Sequence, residues 1–407
     1  MSVSTPQILE MTAGGITTPG GFRASGVSAG IKANKGLDLA LIVSDRPASA
    51  AAVFTTNRAQ AAPVLVSIDH LAKSVGVARA IVVNSGCANA CTGEAGMDVA
   101  RQMASETARL LGCAPEQVLV ASTGVIGVSL DPGKIRSGLP EAMKALASDQ
   151  GASAARAIMT TDPFPKEAAI RVSIGGREAS IGGMAKGSGM IEPMMATMLA
   201  FVTTDAVVPP ALLNRALREV VNDTFNAITV DGECSTNDCV MLLANGASGA
   251  KVDESTYAPF VQGLRTVCLR LALDIVRGGE GATKLVTVTV TGAATPAEAR
   301  QAAKAIANSP LVKTAIHGGD PNWGRLIAVA GRAGVAFDLS RAAVTIGGIV
   351  LFKDGQPFDE AAPRAATYLK YREIAVTVDL GVGSASSTVW TCDLSAEYVR
   401  INADYRT

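Results

Sequence analysis

Four stretches of the 407-residue chain repeat hydrophobic residues at the spacing of an amphipathic helix. They cover residues 98–111, 210–222, 255–277 and 295–307. Asp98 and Thr295 are residue types that cap helix N-termini, and Gly112 follows the first stretch as a typical C-terminal stop. The pattern therefore predicts four helices.

Shorter runs rich in Val, Ile, Thr and Ala lie between these stretches and predict strands. They cover residues 80–83, 118–121, 285–290, 326–330 and 373–379, with a hairpin at 346–352. Strands and helices are interleaved irregularly, so we expect an α+β protein with layered sheets rather than a regular βαβ repeat. The change from the third helix to a strand places a domain seam near residues 279–283.

Composition narrows the class of protein further. The chain is 48% hydrophobic and carries 36 basic and 36 acidic residues, so its formal net charge is zero. This hydrophobic fraction is enough for a buried core of about two domains and excludes a wholly disordered chain. A neutral chain lacks the basic surface that binds nucleic acid, and no apolar run reaches the ~18 residues of a membrane helix. We expect neither nucleic acid nor a membrane as a partner.

Histidine and cysteine are the residues that bear most on metal chemistry. His70 and His317 are the only histidines, and the seven cysteines include no C-x-x-C pair. These numbers argue against a metal site and against a disulfide framework. We expect each cysteine to be a small buried residue and each histidine to be exposed or hydrogen-bonded. The first residues show no secretory signal, so a reducing cytosol is the expected location.

One glycine-rich stretch carries candidate chemistry. Residues 186–201 read KGSGMIEPMMATMLAF, in which a glycine-rich turn leads into an apolar run with one hydroxyl residue, Thr197. By itself, such a threonine is more often a packed, hydrogen-bonded residue than a nucleophile. A nucleophilic threonine in a histidine-poor chain needs another base, and cleavage of the 196–197 bond would provide one, the α-amine of Thr197. These residues alone leave both interpretations open.

Ordered motifs along almost the whole chain favour the second interpretation. The chain resembles the ornithine acetyltransferase family, the glutamate N-acetyltransferases of arginine biosynthesis, whose self-cleavage motif is approximately KGxGMIxPNMATMLAF. The other matching segments are GFRASG (21–26), GIK (30–32), VFTTN (53–57), NSG (84–86), ACTG (90–93), STGVIG (122–127), MTTD (159–162), TVDG (229–232), STND (235–238), GATK (281–284), DPNWGR (320–325) and INADYRT (401–407).

The resemblance implies a fold, a reaction and an assembly. The family fold is α+β, a four-layer αββα sandwich of the N-terminal-nucleophile-like type with a smaller C-terminal α/β domain. We place the sandwich domain at residues 1–283 and the second domain at 284–407, with its tail returning to the active site. The implied reaction moves acetyl from N-acetylornithine to L-glutamate through a Thr197 ester without a cofactor, and some members also use acetyl-CoA. The implied assembly is a heterotetramer of the two self-cleaved chains.

The resemblance also implies roles for particular residues. Thr197 would be the nucleophile and, with Ala196, would flank the cleaved bond. Thr123 and Gly124 would form the oxyanion hole, since a glycine turn after the strand predicted at 118–121 can aim donors at one point. The implied substrate-binding residues are Lys186, Thr197, Glu280, Asn402, Thr407 and Pro163. A lysine can bind a carboxylate and a glutamate an ammonium, as an amino-acid substrate requires.

Several positions depart from the family pattern. Pro163 stands where the family usually has a substrate-binding threonine, and proline offers neither an N–H nor a hydroxyl. Met194 replaces an Asn of the cleavage motif, and Gly278 replaces an Asp near Glu280. Further departures are Cys87, Cys234 and Cys239. Pro163, Met194 and Gly278 keep one alternative open, a related N-terminal-threonine acyltransferase or amidase with an altered substrate, as in secondary metabolism. A second alternative, from another class, is an uncleaved homologue that serves as a binding or structural subunit.

Overall fold

Short helices and strands alternate along the chain in the computed structural model, which describes residues 8–192 and 198–404. The strands are β1 (Ile8–Glu10), β2 (Phe22–Val27), β3 (Leu39–Phe54), β4 (Val77–Cys87), β5 (Val118–Val125), β6 (Lys166–Ile174), β7 (Arg177–Lys186), β8 (Leu199–Thr204), β9 (Cys239–Ala244), β10 (Leu285–Ala293), β11 (Ala343–Ile346), β12 (Ile349–Lys353), β13 (Gln356–Pro357), β14 (Glu373–Asp379) and β15 (Ala385–Cys392). The helices are α1 (Ala62–Lys73), α2 (Gly93–Leu111), α3 (Pro132–Lys144), α4 (Gly151–Ala157), α5 (Pro210–Asp223), α6 (Tyr257–Arg277), α7 (Pro296–Ala307), α8 (Pro310–Gly318), α9 (Trp323–Gly331), α10 (Ala362–Tyr368) and α11 (Ala396–Asp404).

Strands β1 to β9 form one sheet, which we call the amino-terminal sheet. Its order is β1-β6-β7-β8-β9-β3-β4-β5, with β2 beside β3. The long strand β3 belongs to both halves of this sheet, because its first part pairs with β2 and β4 and its last part pairs with β9. The register between β3 and β4 shifts between Val43 and Ala48, a stretch that contains Pro47, which has no N–H to donate.

Side chains between the two halves of this sheet form the middle of a four-layer structure. Ala40 and Ile42 of the first half share one buried cluster with Met184, Phe201 and Met241 of the second half. Helices α2 and α3 cover the outer face of the first half, and α5 and α6 cover the outer face of the second. The layers are therefore helix, sheet, sheet and helix, as the αββα prediction requires.

Strands β10 to β15 form a second sheet, the carboxy-terminal sheet, in the order β13-β12-β11-β14-β10-β15. Valines and threonines alternate along β10; the valines are buried against the cluster formed with helices α7 to α10, and the threonines stay partly exposed. The described strands of the amino-terminal sheet end by Ala244, and those of the carboxy-terminal sheet begin at Leu285. The exact domain boundary at residues 283 and 284 stays a prediction.

All four predicted helices are present, but the predicted first residue of one of them is wrong. Helices α5, α6 and α7 confirm three of them, and the Thr295 side chain caps α7 by accepting a hydrogen bond from the Glu298 amide. The first predicted helix starts too late: α2 begins at Gly93 rather than near Asp98, because its exposed first turn carries no continuous apolar stripe. In residues 8–192 and 198–404, no helix is long and apolar enough to cross a membrane.

One predicted strand is wrong. Residues 326–330 lie in helix α9, which begins where the Asn322 side chain accepts a hydrogen bond from the Arg325 amide. A short apolar run fits a strand and a buried helix equally well, so the pattern could not distinguish them. The other predicted strands and the hairpin of β11 and β12 are confirmed.

Candidate active site

A cavity of about 140 Å³ lies where the ends of β5 and β7 meet helix α11. Its described lining includes residues that the resemblance assigns to the oxyanion hole and to substrate binding: Thr123, Gly124, Lys186, Glu280 and Asn402. They come from two strands, from the turn after α6 and from the tail helix α11. The fold thus brings together residues that are far apart in the sequence.

Strand β5 carries Thr123 and Gly124. Gly124 has a φ of 129°, and a side chain there would drive its Cβ into the carbonyl carbon of Gly86 on the neighbouring strand β4. The position therefore requires glycine. The turn predicted after residue 121 is wrong, because β5 continues to Val125 and its pairing with β4 becomes irregular at Gly86. Thr123 and Gly124 are held in a paired strand rather than in a loop.

Lys186 is buried at the end of β7 and contacts Thr123. Its Nζ donates a hydrogen bond to Thr123 Oγ1 over 3.3 Å. An ammonium group has no lone pair, so the threonine oxygen must accept and its own proton is left to point elsewhere. The arrangement provides a hydroxyl donor beside a positive charge at the cavity.

Behind Lys186 lies a buried ion pair. Lys166 Nζ is 2.5 Å from Asp162 Oδ1, and both side chains are fully buried. The carboxylate also accepts hydrogen bonds from the amides of Gly187 and Thr160, over 2.7 and 3.0 Å. Burial alone raises the pKa of Asp162, but the ammonium groups of Lys186 and Lys166 outweigh it and lower the pKa to about 2. Asp162 is therefore ionised and fixes the backbone that follows Lys186.

Glu280 and Asn402 form the other polar side of the cavity. Asn402 Nδ2 donates to Glu280 Oε2 over 2.8 Å, and the Glu280 amide donates to the Ser188 carbonyl over 2.9 Å. A side chain at Gly189 would collide with the Glu280 carboxylate, so this carboxylate lies directly against the glycine-rich turn. A buried carboxylate at a cavity surface suits a cationic group of a ligand.

The chain reaches the cavity on both sides of residues 193–197. Ile191 and Met198 belong to the lining. Asp231 holds the first side by accepting hydrogen bonds from the amides of Met190 and Ile191, each over 2.7 Å. On the second side, the Cys239 amide donates to the Met198 carbonyl over 3.0 Å. Four residues named in the sequence analysis lie outside the described residues: Met194, Ala196, Thr197 and Thr407.

Comparison with known sequences identifies the family. The sequence model of the ArgJ family matches residues 23–407. The chain belongs to the ArgJ family. It is 50% identical to the arginine biosynthesis bifunctional protein ArgJ of Symbiobacterium thermophilum. The alignment of 406 residues covers 98% of this chain and 100% of that protein. The protein of the same name from Geobacter sulfurreducens is 50% identical over 391 residues, 95% of this chain and 99% of that one.

A solved structure shows the same relationship. The crystal structure of the arginine biosynthesis bifunctional protein ArgJ of Bacillus halodurans matches 51% of this chain and 100% of the solved chain, with 44% identity and a TM-score of 0.50. The predicted family and the predicted αββα fold are confirmed. The prediction of an enzyme, an acetyltransferase of arginine biosynthesis, is confirmed with them.

The sequence analysis missed polar residues of the site in this ArgJ-family chain. Tyr398 donates its hydroxyl to Asp231 over 3.2 Å; burial and then the Asp231 carboxylate raise the pKa of Tyr398, so the hydroxyl stays protonated. Asn237 Nδ2 donates to the Ser122 carbonyl over 2.9 Å and so holds the residue before Thr123. The TVDG and STND motifs contain Asp231 and Asn237, and they were the signal that could have found both.

Pro163 does not line the cavity in the described part of the chain. It is exposed, whereas the lining includes Thr160 and Thr161 just before it. The adjacent Asp162 turns inward to Lys166 instead. Its place in the substrate-binding set therefore rests on the resemblance.

No histidine or cysteine belongs to the described lining, although Cys234 lies between two lining residues, Glu233 and Ser235. His70 Nδ1 donates to the Val118 carbonyl over 2.8 Å, and His317 Nδ1 is 2.7 Å from the Asp393 carboxylate, so both are hydrogen-bonded as expected. The prediction that every cysteine is buried is wrong for Cys91, which is exposed, and for two that are half-buried, Cys113 and Cys234. Among the described residues, no three His, Cys, Asp or Glu side chains group as metal ligands.

Proposed function

We propose that this ArgJ-family enzyme transfers acetyl from N-acetylornithine to L-glutamate through an ester on Thr197. The observation that carries the proposal is the cavity, where the buried charges of Lys186 and Glu280 lie beside Thr123 and Gly124. N-acetylornithine has an α-carboxylate and a side-chain ammonium, since its α-nitrogen is acylated, and these two groups are complementary to those two side chains. The relatives are arginine biosynthesis proteins, which favours amino-acid substrates.

The nucleophile forms by self-cleavage. Thr197 Oγ attacks the carbonyl carbon of Ala196, the peptide bond breaks as its nitrogen takes up the hydroxyl proton, and an ester joins the two residues. Water then hydrolyses this ester, which leaves a carboxylate on Ala196 and a free α-amine on Thr197. Support comes from Ile191 and Met198, which line the cavity on either side.

The length of a solved relative also supports cleavage. Cutting after Ala196 divides 407 residues into near-equal chains of 196 and 407 − 196 = 211 residues. The whole Bacillus halodurans chain matches 51% of this chain. One cleavage product would match a share of that size.

Acetyl transfer then takes two half-reactions. The α-amine of Thr197 removes the proton from Oγ, which attacks the acetyl carbonyl of N-acetylornithine. The oxyanion accepts hydrogen bonds from Thr123 and Gly124, and its collapse expels ornithine, whose nitrogen takes the proton. The glutamate amine next attacks the acetyl ester and leaves as N-acetylglutamate, while Oγ regains a proton. This scheme uses no cofactor, and acetyl-CoA can replace N-acetylornithine as the acetyl donor with its thiol as the leaving group.

Lys186 and Glu280 orient the substrates. We assign the substrate carboxylate to Lys186 and the side-chain ammonium of N-acetylornithine to Glu280, which the 2.8 Å hydrogen bond from Asn402 holds in place. Thr407 and Pro163 belong to the proposed substrate-binding set on the resemblance alone.

The proposal extends to assembly and location. The sandwich domain spans residues 1–283 and the second domain 284–407. The active form is a heterotetramer of the two self-cleaved chains, and it works in the cytosol on small-molecule substrates. The family resemblance supports each of these statements.

Mass spectrometry of the purified protein tests the central step. We expect two chains, residues 1–196 and 197–407, a single chain for Thr197→Ala, and at least partial cleavage for Thr197→Ser. Acetyl transfer from N-acetylornithine to glutamate is then assayed beside hydrolysis of small amides. An uncut wild-type chain would identify a subunit without this chemistry, and faster amide hydrolysis than acetyl transfer would identify an amidase.

A further inference from the structure

Helices α7 and α8 hold a segment of the sandwich, residues 222–230. Their side chains donate hydrogen bonds to backbone carbonyls along this segment. Lys304 Nζ donates to the Ile228 carbonyl over 2.7 Å, and Lys313 Nζ donates to the Val230 carbonyl over 2.8 Å. The position of this segment therefore depends on helices that pack against the carboxy-terminal sheet.

The same segment holds the chain just before residue 193. The Val230 amide and the Thr229 hydroxyl both donate to the Ile191 carbonyl, over 2.7 and 3.0 Å. The Glu192 amide donates to the Glu233 carbonyl over 2.7 Å. Ile191 is thus paired with the segment that α7 and α8 position, and Glu192 is paired with Glu233, three residues beyond the end of that segment.

The Glu192 side chain also contacts α7 directly. Its carboxylate accepts a hydrogen bond from Asn308 Nδ2 and lies 3.9 Å from Lys304 Nζ. Thr229 Oγ1 has a single proton, which it shares between the Ile191 carbonyl and Asn308 Oδ1, the latter over 2.7 Å. The Glu192 and Lys304 side chains are each 16% exposed, so water screens their attraction only in part. From Glu192 to Ala196 the chain spans at most ~14 Å, so the contact constrains where the scissile bond can lie.

We propose that Lys304 and Asn308 are positioning residues for self-cleavage and that they act through Glu192. They tie the amino-terminal side of the scissile bond to α7, so the bond reaches the geometry for attack only after the carboxy-terminal sheet has folded against the sandwich. Self-cleavage then takes place only in a chain whose sandwich and carboxy-terminal sheet have both folded. This inference rests on the proposed cleavage at Thr197.

The expected size of the effect follows from the geometry of attack. The threonine oxygen must approach the carbonyl carbon to ~3–3.5 Å, and a misplacement of ~1 Å can slow such a step by ~10²-fold. Loss of one contact on a segment with several others should displace the bond less than that. We therefore expect cleavage to slow by between about tenfold and ~10²-fold without being abolished.

The test follows cleavage of full-length chains made by cell-free synthesis, at a temperature low enough for the uncut wild-type chain to be seen. Burial lowers the pKa of Lys304 to about 8, with Glu192 opposing the shift, so the reaction is run at pH 7, where the lysine is charged. Lys304→Met and Glu192→Gln each remove one charge and should slow cleavage at least about tenfold. Lys304→Arg keeps the charge and should restore most of the rate.

Arg300→Met is the matched control. Arg300 lies one turn earlier on α7 and donates to the carbonyls of Asn222 and Asn226, over 2.8 and 2.7 Å, so its loss weakens docking without touching Glu192. We expect its cleavage rate to stay within about twofold of wild type, a change of less than ~0.5 kcal/mol. Equal slowing of cleavage by Arg300→Met and Lys304→Met would overturn the inference, because weaker docking of α7 on the sandwich would then explain both results.

Three further readouts separate positioning from stability and from the proposed function. The double variant Lys304→Met/Glu192→Gln should slow cleavage by less than the product of the two single effects, since both substitutions remove the same ion pair. The kcat per cleaved site and the Tm of the cleaved protein should stay near wild type; parallel losses in both would show a merely structural role. Equal cleavage of wild type and Lys304→Met overturns this inference alone, whereas an uncut wild-type chain overturns the proposed function.

Discussion

At the scale of single residues, the direction of one hydrogen bond shapes the site. Lys186 can only donate, so Thr123 accepts from it and retains a proton for another partner. If that partner is the oxyanion, Thr123→Ala should lower kcat by ~10²–10³, or ~2.7–4 kcal/mol, with a smaller change in KM. Thr123→Ser keeps the hydroxyl and is the control. The measurement is initial rate per cleaved site, and a kcat within about twofold of wild type would show that Thr123 is only a strand residue.

Lys186 should affect the reaction in two separable ways. As a ligand for the substrate carboxylate it should lower KM, and as the donor that orients Thr123 it should raise kcat. We expect Lys186→Met to lower kcat for N-acetylornithine and also for an N-acetyl amine that has no carboxylate, while KM rises only for N-acetylornithine. Steady-state kinetics with both acetyl donors measure the two effects separately. An unchanged kcat for the donor without a carboxylate would leave Lys186 a binding residue only.

At the scale of elements, the pair of Asp162 and Lys166 joins the start of β6 to the end of β7 through the Gly187 amide. The pKa of Asp162 is about 2 in the folded chain and 3.8 in an ordinary aspartate, so the unfolded chain binds the proton first as pH falls. The stabilisation is complete above about pH 4 and is lost toward pH 2, an effect of about 2 kcal/mol. The pKa of Lys166 is lowered as well, because its burial outweighs the attraction of Asp162.

Asp162→Asn should therefore destabilise the protein most at neutral pH. It leaves the buried Lys166 without its charged partner, which typically costs ~3–5 kcal/mol. Thermal unfolding between pH 6 and pH 2 should show a gap between wild type and variant that narrows in acid. Asp69→Asn is the control, because Asp69 and Lys73 have the same spacing but are exposed. Its free energy of unfolding should fall by no more than about 1 kcal/mol. A gap that stays constant down to pH 2 would contradict the assigned pKa.

Local sequence pattern predicted the elements better than it predicted their contacts. The Thr295 cap and the Val/Thr alternation of β10 act within a few residues, so the local sequence was enough to predict α7 and β10. The run at 326–330 was wrongly predicted to be a strand, because the residue that caps its helix, Asn322, lies outside the apolar pattern. The site depends on pairs such as Glu280 with Asn402, which are 122 positions apart. Periodicity carries no information on such pairs, and only the family motifs pointed to them.

At the scale of the whole molecule, the proposed cleavage would leave two chains in one sheet. The order β7-β8-β9-β3 places two strands of the second chain between strands of the first, with hydrogen bonds on both sides. Side chains of β8 and β9 enter both the cluster between the two halves of the sheet and the cluster under α5 and α6. Neither chain can leave without exposing both clusters, a far larger apolar area than a transient interface buries.

We therefore expect the two chains to stay together without denaturant. Size-exclusion chromatography at nanomolar concentration should elute them as one species, and heating should unfold them in one transition. The uncut Thr197→Ala chain is the control. Its Tm should lie within a few degrees of the cut protein, because the proposed cleavage breaks one bond between β7 and β8 and removes none of the strand pairing described above. Release of either chain on dilution would contradict this account, since it would mean that β8 and β9 can leave the sheet while the remaining strands stay folded.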